Sequence, residues 1–450
     1  MVGARGGLRA CLVVGPSGTA MVVARDHRRF RKLFATTSAA RRLIPPRRRY
    51  REGAIVEAPL DGEAHGLEHA LHEVLIPLGQ LRTRRALDRD ARYRGARDEI
   101  DRVLAGFEWD LRATSPALPA GASTSEIRAV AWNVERGKRF DALMAAIRDE
   151  PVIAGADLLL LTELDIGMGR SGNRNVPREV ARRLGKGYVF ANYHLVLAPG
   201  DSAELDVREP NAMGIHGAAL LTRWPVRRAW AVGLPEYTDK FHAIEKRLGT
   251  KRALLCEVAA PDGPLAVAVL HLDPFAPPAH RANQLRSVLA AVERMGTPRV
   301  LIGGDFNTNT YHLGSKIGLG VDIAHKLARF GFAGTIEQYM TPEQVFERRV
   351  FGVLAAAGFA TQGFTDPHSG TILYDLRDPE VREKSRHYLP GFAFRWLERK
   401  LRRWDGCVPM RIDYFAGRGL RPLRALTLPR DMPGGRVSDH APIVLEFTFA

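Results

Sequence analysis

The 450-residue sequence predicts an α/β fold in which helices cover a mixed β-sheet. From Ile127 onward, short apolar runs alternate with segments of helical periodicity, which indicates strands joined by helical crossovers. Two of the runs flank residues 259–264, whose Pro-Asp-Gly core is a hairpin signal. Because crossovers and hairpins occur together, we predict a mixed sheet rather than a purely doubly wound one.

A local pattern supports each predicted element. Four consecutive leucines at 158–161 indicate a strand that is buried on both faces. Pro177 stands at an early helical position, where its missing N–H costs little. Leu285, Leu289 and Val292 form one apolar stripe of a helix. The predicted strands are residues 128–134, 156–162, 218–222, 253–258, 265–270, 299–303, 412–415 and 443–449, and the predicted helices are residues 140–147, 176–184 and 278–295.

Residues 1–63 are predicted to form a basic, flexible arm. The first 51 residues hold thirteen Lys or Arg and one acid, Asp26, so they carry +12 of the net charge of +16. This composition is typical of a solvated tail, and it also fits an arm that binds polyanions or anionic lipid, or a removable targeting segment. The nearly neutral remainder argues against tight binding of duplex nucleic acid, which needs many phosphate contacts.

Residues 64–125 are predicted to be a helical extension followed by a linker. Amphipathic helices over 64–112 would dock on the main domain or on a partner, with Pro77 breaking the first of them. Residues 113–125 are rich in Pro, Ser, Gly and Ala, as linkers are. The apolar positions at helical spacing are Leu67, Leu71, Leu75 and Leu78, then Ile100, Val103, Leu104 and Phe107.

The main domain, residues 126–450, contains an insertion at about 308–410. Helices are predicted at 342–357 and 392–404, and the second mixes bulky apolar residues with five Arg or Lys. It is expected to be either a surface helix covering the domain or an interfacial helix that contacts lipid or polyanion. Insertions of this length tend to shape a substrate-binding mouth.

Cysteine and apolar content limit the class of protein. The three cysteines are widely spaced and form no Cys-x-x-Cys pair, which argues against a disulfide framework or a structural zinc site. No apolar run reaches the roughly 20 residues of a transmembrane helix. We therefore expect a soluble, cytoplasmic protein, with a targeting role of the basic arm left open.

Polar clusters follow the predicted apolar strands. Asp305 and Asn307 come directly after one strand, and alternation along an extended backbone would place both side chains on one face. Gly-Asp-Phe-Asn alone could also be an ordinary turn. Six such clusters, each at the end of an apolar run, occur along the chain, and chance would rarely produce that arrangement. They are Trp132-Asn133, Thr162-Glu163-Leu164-Asp165, His271-Leu272-Asp273, Gly303-Gly304-Asp305-Phe306-Asn307, Arg411-Ile412-Asp413-Tyr414 and Ser438-Asp439-His440-Ala441-Pro442.

With these clusters in this order, the chain resembles the endonuclease/exonuclease/phosphatase superfamily of deoxyribonuclease-I-like, metal-dependent hydrolases. The resemblance runs from about Ile127 to Ala450. It implies a four-layer α/β sandwich, with two mixed sheets packed face to face, helices outside and a divalent cation in the cleft. One departure is Ala218, where many relatives have Asn, although Asn211 lies nearby in sequence.

The resemblance also implies roles for individual residues. Glu163 is the principal metal ligand, supported by Asn133 and Asp439. Such oxygen ligands suit Mg²⁺ or Mn²⁺, and the lack of a compact His/Cys set disfavours zinc. In the catalytic set, Asp305 handles the attacking water, Asn307 and His271 contact the phosphate, and Asp413 orients His440. Either Asp305 or His440 would be the general base.

Four further residues are weaker substrate-binding candidates. Arg170 and Arg174 lie in a Gly-rich loop and offer paired donors for phosphate. Asp165 and Asp273 would orient neighbouring groups or bind a second metal. Each could equally belong to an ordinary surface loop or a loop cap.

These residues predict a Mg²⁺-dependent phosphoesterase, in particular a phosphodiesterase that uses in-line attack by water. The alternative is a catalytically silent binding module of the same fold. The substrate is left open between nucleic acid, a phospholipid or sphingolipid headgroup, and a phosphorylated small molecule. Residues 1–51 and 392–404 would supply contacts to nucleic acid or an anionic membrane.

Overall fold

The computed structural model describes residues 11–14, 20–23, 53–115, 126–201, 204, 206–308, 316–389 and 391–450. The chain forms two compact units. The larger unit comprises residues 49–310, 336–373 and 409–450, and the smaller comprises residues 1–48, 311–335 and 374–408. Of the flexible arm predicted at residues 1–63, only residues 11–14, 20–23 and 53–63 are described. Residues 55–57 are a strand paired with residues 230–232 of a large sheet, so this end of the predicted arm is part of the folded unit.

The strands of the described residues are numbered in chain order. They are β1 (Cys11–Val14), β2 (Ala20–Val23), β3 (Ile55–Glu57), β4 (Ala64–His65), β5 (Phe107–Asp110), β6 (Ile127–Arg136), β7 (Leu158–Ile166), β8 (Gly187–Val196), β9 (Ile215–Thr222), β10 (Val226–Gly233), β11 (Arg247–Gly249), β12 (Arg252–Ala260), β13 (Gly263–His271), β14 (Val300–Asp305), β15 (Ile372–Asp375), β16 (Cys407–Met410), β17 (Asp413–Arg418), β18 (Leu420–Thr427), β19 (Asp431–Met432), β20 (Gly435–Arg436) and β21 (Ile443–Phe449).

The α-helices are numbered in the same way. They are α1 (His72–Gly79), α2 (Arg84–Arg89), α3 (Ala91–Gly95), α4 (Arg97–Leu104), α5 (Phe140–Asp149), α6 (Pro151–Ala154), α7 (Val176–Leu184), α8 (Pro278–Met295), α9 (Lys316–Gln338), α10 (Arg348–Ala356), α11 (Pro379–Tyr388) and α12 (Gly391–Leu401). The helices predicted at 176–184 and 278–295 are confirmed at both ends. None of the helices among the described residues combines the length and apolar character needed to cross a membrane.

Two large mixed sheets form the centre of the larger unit. One has six strands in the order β17-β14-β13-β12-β10-β3, and the other has nine, ordered β18-β21-β6-β7-β9-β8-β5-β4 with β11 paired to β8. The hairpin predicted at 259–264 joins the antiparallel strands β12 and β13. Parallel pairing of β13 with β14 and of β6 with β7 requires the helical crossovers.

Three apolar clusters define four layers. Side chains from both sheets, among them Leu160, Val267 and Phe415, form the buried layer between the sheets. Helices α5 and α7 pack on the outer face of the nine-stranded sheet, and α8 and α10 pack on the outer face of the six-stranded sheet. The predicted four-layer α/β sandwich is therefore confirmed.

The helical periodicity predicted over residues 64–112 is only partly realised. Helices α1 to α4 lie in this segment, but β4 and β5 are strands of the nine-stranded sheet. Phe107 and Trp109 stand two residues apart on β5, and both are buried in the layer between the sheets. Phe107 therefore follows the two-residue period of a strand, although its spacing from the preceding apolar residues also fits a helix. Pro77 lies inside α1 instead of breaking it; it removes one backbone hydrogen bond, to the carbonyl oxygen of Glu73, and the helix ends two residues later at Gly79.

Gly304 is required by close contact between β13 and β14. Its φ is +130°, and a Cβ atom at this position would lie 2.2 Å from the carbonyl oxygen of Leu270. We predict that Gly304→Ala lowers the free energy of unfolding by about 3 kcal/mol or more, since backbone must move to relieve the overlap. Urea denaturation measures this change.

Gly352 in α10 is the matched control for Gly304, because a Cβ there meets nothing within 4 Å. Gly352→Ala should raise the free energy of unfolding by roughly 0.5–1 kcal/mol through helix propensity. Equal effects of the two substitutions would show that close packing at Gly304 is not the constraint.

Arg281 and Glu347 form an ion pair whose side chains are both 0% exposed. Arg281 also donates to the backbone carbonyl oxygen of Asp273. We predict that Glu347→Ala lowers the free energy of unfolding by about 3–5 kcal/mol, because it leaves a buried guanidinium unpaired. The double variant R281M/E347M should be more stable than Glu347→Ala; a double variant that is less stable than the single one would contradict this account.

Candidate active site

The register of the six-stranded sheet places three predicted residues side by side. His271 on β13 is paired with Asp305 on β14, and Asp305 is paired with Asp413 on β17. The Nε2 atom of His271 lies 3.5 Å from Oδ2 of Asp305. All three residues are buried, so this half of the site is held by backbone pairing rather than by mobile loops.

Irregularities in the nine-stranded sheet position the other half of the site. The pairing of β6 with β7 shifts register between Asn133 and Arg136, and the pairing of β7 with β9 shifts between Leu161 and Leu164. Glu163, inside the second shift, adopts φ +54°. These β-bulges turn side chains out of the regular alternation, which is how a strand end can aim a functional group.

Asn133 connects the two sheets. Its Nδ2 atom donates to Oδ2 of Asp305 at 3.3 Å, and its Oδ1 atom accepts from the backbone N–H of Glu135 at 3.0 Å. Ser438 holds the same segment, since its hydroxyl donates to the carbonyl oxygen of Asn133 at 2.7 Å. The residues predicted from three separate sequence clusters therefore meet at one point.

Asp305 and Asn307 face each other across a local turn. The backbone N–H of Asn307 donates to Oδ1 of Asp305 at 2.8 Å, and its side-chain Nδ2 donates to Oδ2 at 2.9 Å. Asn307 follows the last residue of β14 and has φ +50°. The predicted meeting of the two side chains is correct, but a turn rather than strand alternation produces it.

His440 and Asp413 form a hydrogen-bonded pair. Nδ1 of His440 donates to Oδ2 of Asp413 at 2.9 Å, and Nε2 of His440 points toward Asp305 Oδ2 at 3.9 Å. Thr371 fixes both partners: its hydroxyl accepts from the backbone N–H of Asp413, and its carbonyl oxygen accepts from the N–H of Ala441. The orienting role predicted for Asp413 fits this geometry.

The two histidines of the site have opposite proton affinities. Burial disfavours the charged form of His440, but the carboxylates of Asp413, Asp439 and Asp305 outweigh it and raise the pKa of His440 well above its usual value. Burial, assisted by the charge of Lys251, lowers the pKa of His271 well below its usual value. His440 is therefore the cationic donor and His271 the neutral ring.

The carboxylates of the site are also perturbed. Burial raises the pKa of Asp305 to about 7, with His440 opposing the rise and Asp413 adding to it. Burial also works against ionisation of Glu163, but the charge of Arg136 outweighs it and lowers the pKa of Glu163 well below its usual range. A permanently ionised Glu163 is suited to a cation.

Glu163, Asn133 and Asp439 offer an oxygen donor set that fits a hard divalent cation. The Glu163 carboxylate lies 3.8 Å from His271 Nε2 and 3.8 Å from Arg136 Nε, and both distances are too long for a hydrogen bond. The side chain of Asp439 is 52% exposed and that of Glu163 is 21% exposed. These two carboxylates mark the side of the site that solvent and a cation can reach.

A second group of possible donor atoms belongs to Asp305, Asp413 and His440, which lie within 4.8 Å of one another. Here His440 Nδ1 donates to Asp413, and the neighbouring carboxylates favour the protonated ring by raising the pKa of His440. An imidazolium ring has no lone pair for a metal. In this protonation state the group is a hydrogen-bonded relay, and the oxygen donors of Glu163, Asn133 and Asp439 are the candidate cation ligands.

Asp165 and Arg170 are not available to a substrate. Arg170 donates to Asp165 at 2.7 Å and to Glu245 at 2.6 Å, with side-chain exposures of 1% for Arg170 and 0% for Asp165. His216 Nδ1 lies 2.8 Å from the same Asp165. The prediction that these residues bind substrate is therefore wrong, because both are paired with oppositely charged residues in a buried ion-pair network.

Arg174 and Asp273 also have protein partners. Arg174 pairs with Glu179 at 3.0 Å and covers the ring of Phe140, as a surface residue does. Asp273 accepts from the backbone N–H of Phe275 and pairs with Lys240 at 3.2 Å. Their geometry favours the loop-capping alternative over phosphate clamping.

Asn211 does not replace the amide that Ala218 lacks. Its side chain accepts from the N–H of Gly169 and donates to the carbonyl oxygen of Ala198, so it joins two loops. Ala218 is buried on β9 between the sheets. The departure noted in the sequence therefore leaves that position without an amide.

Lys251, Arg136 and Thr371 support the site but were not singled out from the sequence. Lys251 Nζ donates to the carbonyl oxygen of Leu272 at 2.8 Å, and the same oxygen accepts from Asn307 Nδ2. Burial lowers the pKa of Lys251 to about 8 against the opposing charges of Asp273 and Asp305. Lys251 lies in a short polar turn and Thr371 lies in the insertion. Neither belongs to a sequence motif that would have indicated a role in the site.

Comparison with known protein families agrees with the resemblance noted in the sequence. The model of the Endonuclease/Exonuclease/phosphatase family matches residues 130–440. No curated protein matches the chain significantly.

The solved structures that the chain matches are distant in sequence. An endonuclease/exonuclease/phosphatase from Beutenbergia cavernae DSM 12333 is 15% identical, with 72% of each chain covered and a TM-score of 0.45. The 3′ phosphatase NExo from Neisseria, bound to a product DNA hairpin, is 16% identical over 72% of this chain and 100% of its own, with a TM-score of 0.42. The human Nocturnin catalytic domain with bound sulfate is 15% identical over 72% of this chain and 94% of its own, with a TM-score of 0.38.

The family match covers more than half of the chain and includes all eight predicted catalytic and metal-binding residues, from Asn133 to His440. The chain therefore belongs to the Endonuclease/Exonuclease/phosphatase family.

Proposed function

We propose that the protein is a divalent-metal-dependent phosphodiesterase that hydrolyses a P–O bond by in-line attack of water. The observation that carries the proposal is the junction of the two sheets, where Asn133, Asp305 and Asn307 are joined by hydrogen bonds beside the ionised Glu163. Phosphoester hydrolysis needs a held cation, a group that prepares water and donors for transition-state charge. The site offers a candidate for each task.

Each residue has a role that follows from its contacts. Glu163, Asn133 and Asp439 would hold Mg²⁺ or Mn²⁺, which when bound supplies charge to polarise a phosphoryl oxygen. Asp305 accepts hydrogen bonds from Asn133 and Asn307, and these fix its carboxylate for orienting an attacking water.

Charge on the phosphoryl group would be met by donors. His440, held as a cation by Asp413, can donate from Nε2, and the amide of Asn307 offers a second donor. His440 is thus better suited to stabilise phosphate than to accept a proton, which favours Asp305 as the group that prepares water. His271 contributes a neutral ring on the other side of Asp305.

A catalytically silent module is the weaker alternative. Such a module has no need for a buried carboxylate, an oriented histidine pair and an ionised carboxylate at one point, and burying them is costly. Here all eight predicted catalytic and metal-binding residues are present, including Asn133, Glu163 and Asp305. The combination favours chemistry over binding alone.

We predict that Asp305→Asn lowers turnover of a chromogenic aryl phosphodiester by about 10³-fold, because the carboxylate that orients water is lost while its shape is kept. Steady-state kinetics with Mg²⁺ measure the change, and circular dichroism monitors folding. Exposed Asp141→Asn on α5 is the matched control.

Chelation with EDTA should abolish turnover, and Mg²⁺ or Mn²⁺ should restore it; full activity in Asp305→Asn or in EDTA would contradict the mechanism.

We further predict that Lys251→Met lowers kcat by about 10- to 100-fold, because it removes a fixed positive charge beside Asn307. Lys246→Met is the matched control, since Lys246 also donates to backbone carbonyl oxygens, those of Gly79 and Leu81. Thermal melts of both variants separate loss of charge from loss of folding. Equal kcat values for the two variants would assign Lys251 a structural role only.

A further inference from the structure

Helix α12 in the smaller unit presents two aromatic side chains to solvent. Phe392 is 60% exposed and Trp396 is 44% exposed, and they lie one turn apart on the same side of the helix. The packing side of α12 is a different one, because Phe394 and Leu401 are buried. Phe392 is therefore not used to hold the helix in its unit, and a large part of the Trp396 side chain is also open to solvent.

The same exposed side is strongly basic. Arg395 and Arg399 stand beside Phe392 and Trp396 along the helix, and both are exposed. The acid of this segment, Glu398, is already paired with Arg382. Residues 391–404 thus carry an excess of positive charge. The exposed basic residues of this segment are Arg395, Arg399, Lys400, Arg402 and Arg403.

Trp396 is held in place by neighbouring rings. The ring of Phe332 on α9 lies perpendicular to that of Trp396, with centroids 5.5 Å apart, and tilted against that of Trp404, with centroids 5.8 Å apart. Arg403 lies over the ring of Trp404. Because these side chains are already ordered, little conformational entropy would be lost when the surface meets a partner.

We propose that the exposed face of α12 and the following turn, residues 391–404, docks on a bilayer surface rich in anionic lipid. Phe392 has no polar group, so it gains free energy only by leaving water for an apolar phase. Arg and Lys around it would remain at the level of the lipid phosphates, and Trp is favoured at this interface. Charge complementarity selects anionic over zwitterionic lipid.

A nucleic acid is the less suitable occupant. Its phosphates would satisfy the arginines, but a duplex keeps most of the apolar surface of its bases stacked in its interior, away from Phe392 and Trp396. A single strand could stack its bases on these rings, and the experiment distinguishes that outcome. The lipid assignment does not depend on the proposed phosphodiesterase function, because binding is measured without substrate.

The test uses the full chain and flotation with phosphatidylcholine vesicles that contain or lack phosphatidylserine. We expect binding only to the anionic vesicles, with partitioning reduced about tenfold or more in F392A/W396A and in R395E/R399E. The matched controls are Ile244→Ala, which removes an apolar side chain that is 67% exposed, and R85E/R89E, which makes the same charge change on α2. Both controls should bind as the parent chain does.

Insertion of Trp396 gives a second measurement that does not rely on loss of binding. Brominated lipid should quench part of the tryptophan fluorescence, and this part should disappear in Trp396→Phe while flotation is retained. Unchanged flotation of both α12 variants would overturn the proposal and assign binding to the basic residues 1–51. Equal binding to both kinds of vesicle, no binding, or preferential binding of a single-stranded oligonucleotide that the α12 variants lose would also overturn it.

Discussion

The apolar layer between the two sheets is the constraint on which the site depends. Each sheet carries only part of the chemistry: the six-stranded sheet supplies His271, Asp305 and Asp413, and the nine-stranded sheet supplies Asn133 and Glu163. Burial of residues from both sheets in one cluster brings the strand ends together. The hydrogen bond from Asn133 to Asp305 across this junction is a consequence of that packing.

Backbone strain is concentrated where the chemistry is. Four of the seven non-glycine residues with positive φ in the described part of the chain, Glu135, Arg136, Glu163 and Asn307, lie at these strand ends. Each such conformation costs about 1–3 kcal/mol and persists only where its surroundings impose it. The parallel and antiparallel ladders on either side of the bulges provide that restraint. Strand ends that are aimed in this way keep Glu163 and Asn307 in fixed positions.

Charged residues outside the site, as well as those within it, set the ionisation state of the site residues. Arg136 lies between Glu163 and a buried network in which Glu204 and Glu245 also pair with Arg170. Buried charges of this kind are costly unless each is paired, so the network fixes the positions of its members. Its effect at the site is to keep Glu163 ionised, while Asp413 keeps His440 protonated. Opposite charges are thereby maintained on the two sides of Asp305.

The sequence by itself indicated many of the elements and the candidate residues of the site, but not the strands β8, β10 and β18. Apolar periodicity is a local property, so it located helices such as α7 and α8, and the ordered polar clusters identified Glu163, Asp305 and His440. Phe107 was assigned to a helix because its burial between the sheets depends on partners far along the chain. Only the tertiary structure decided that Arg170 is consumed in ion pairs, that Asn307 meets Asp305 through a turn, and that Lys251 and Thr371 support the site. The reason is that a side chain's free donors and net charge depend on residues brought near it by folding, which spacing along the chain does not specify.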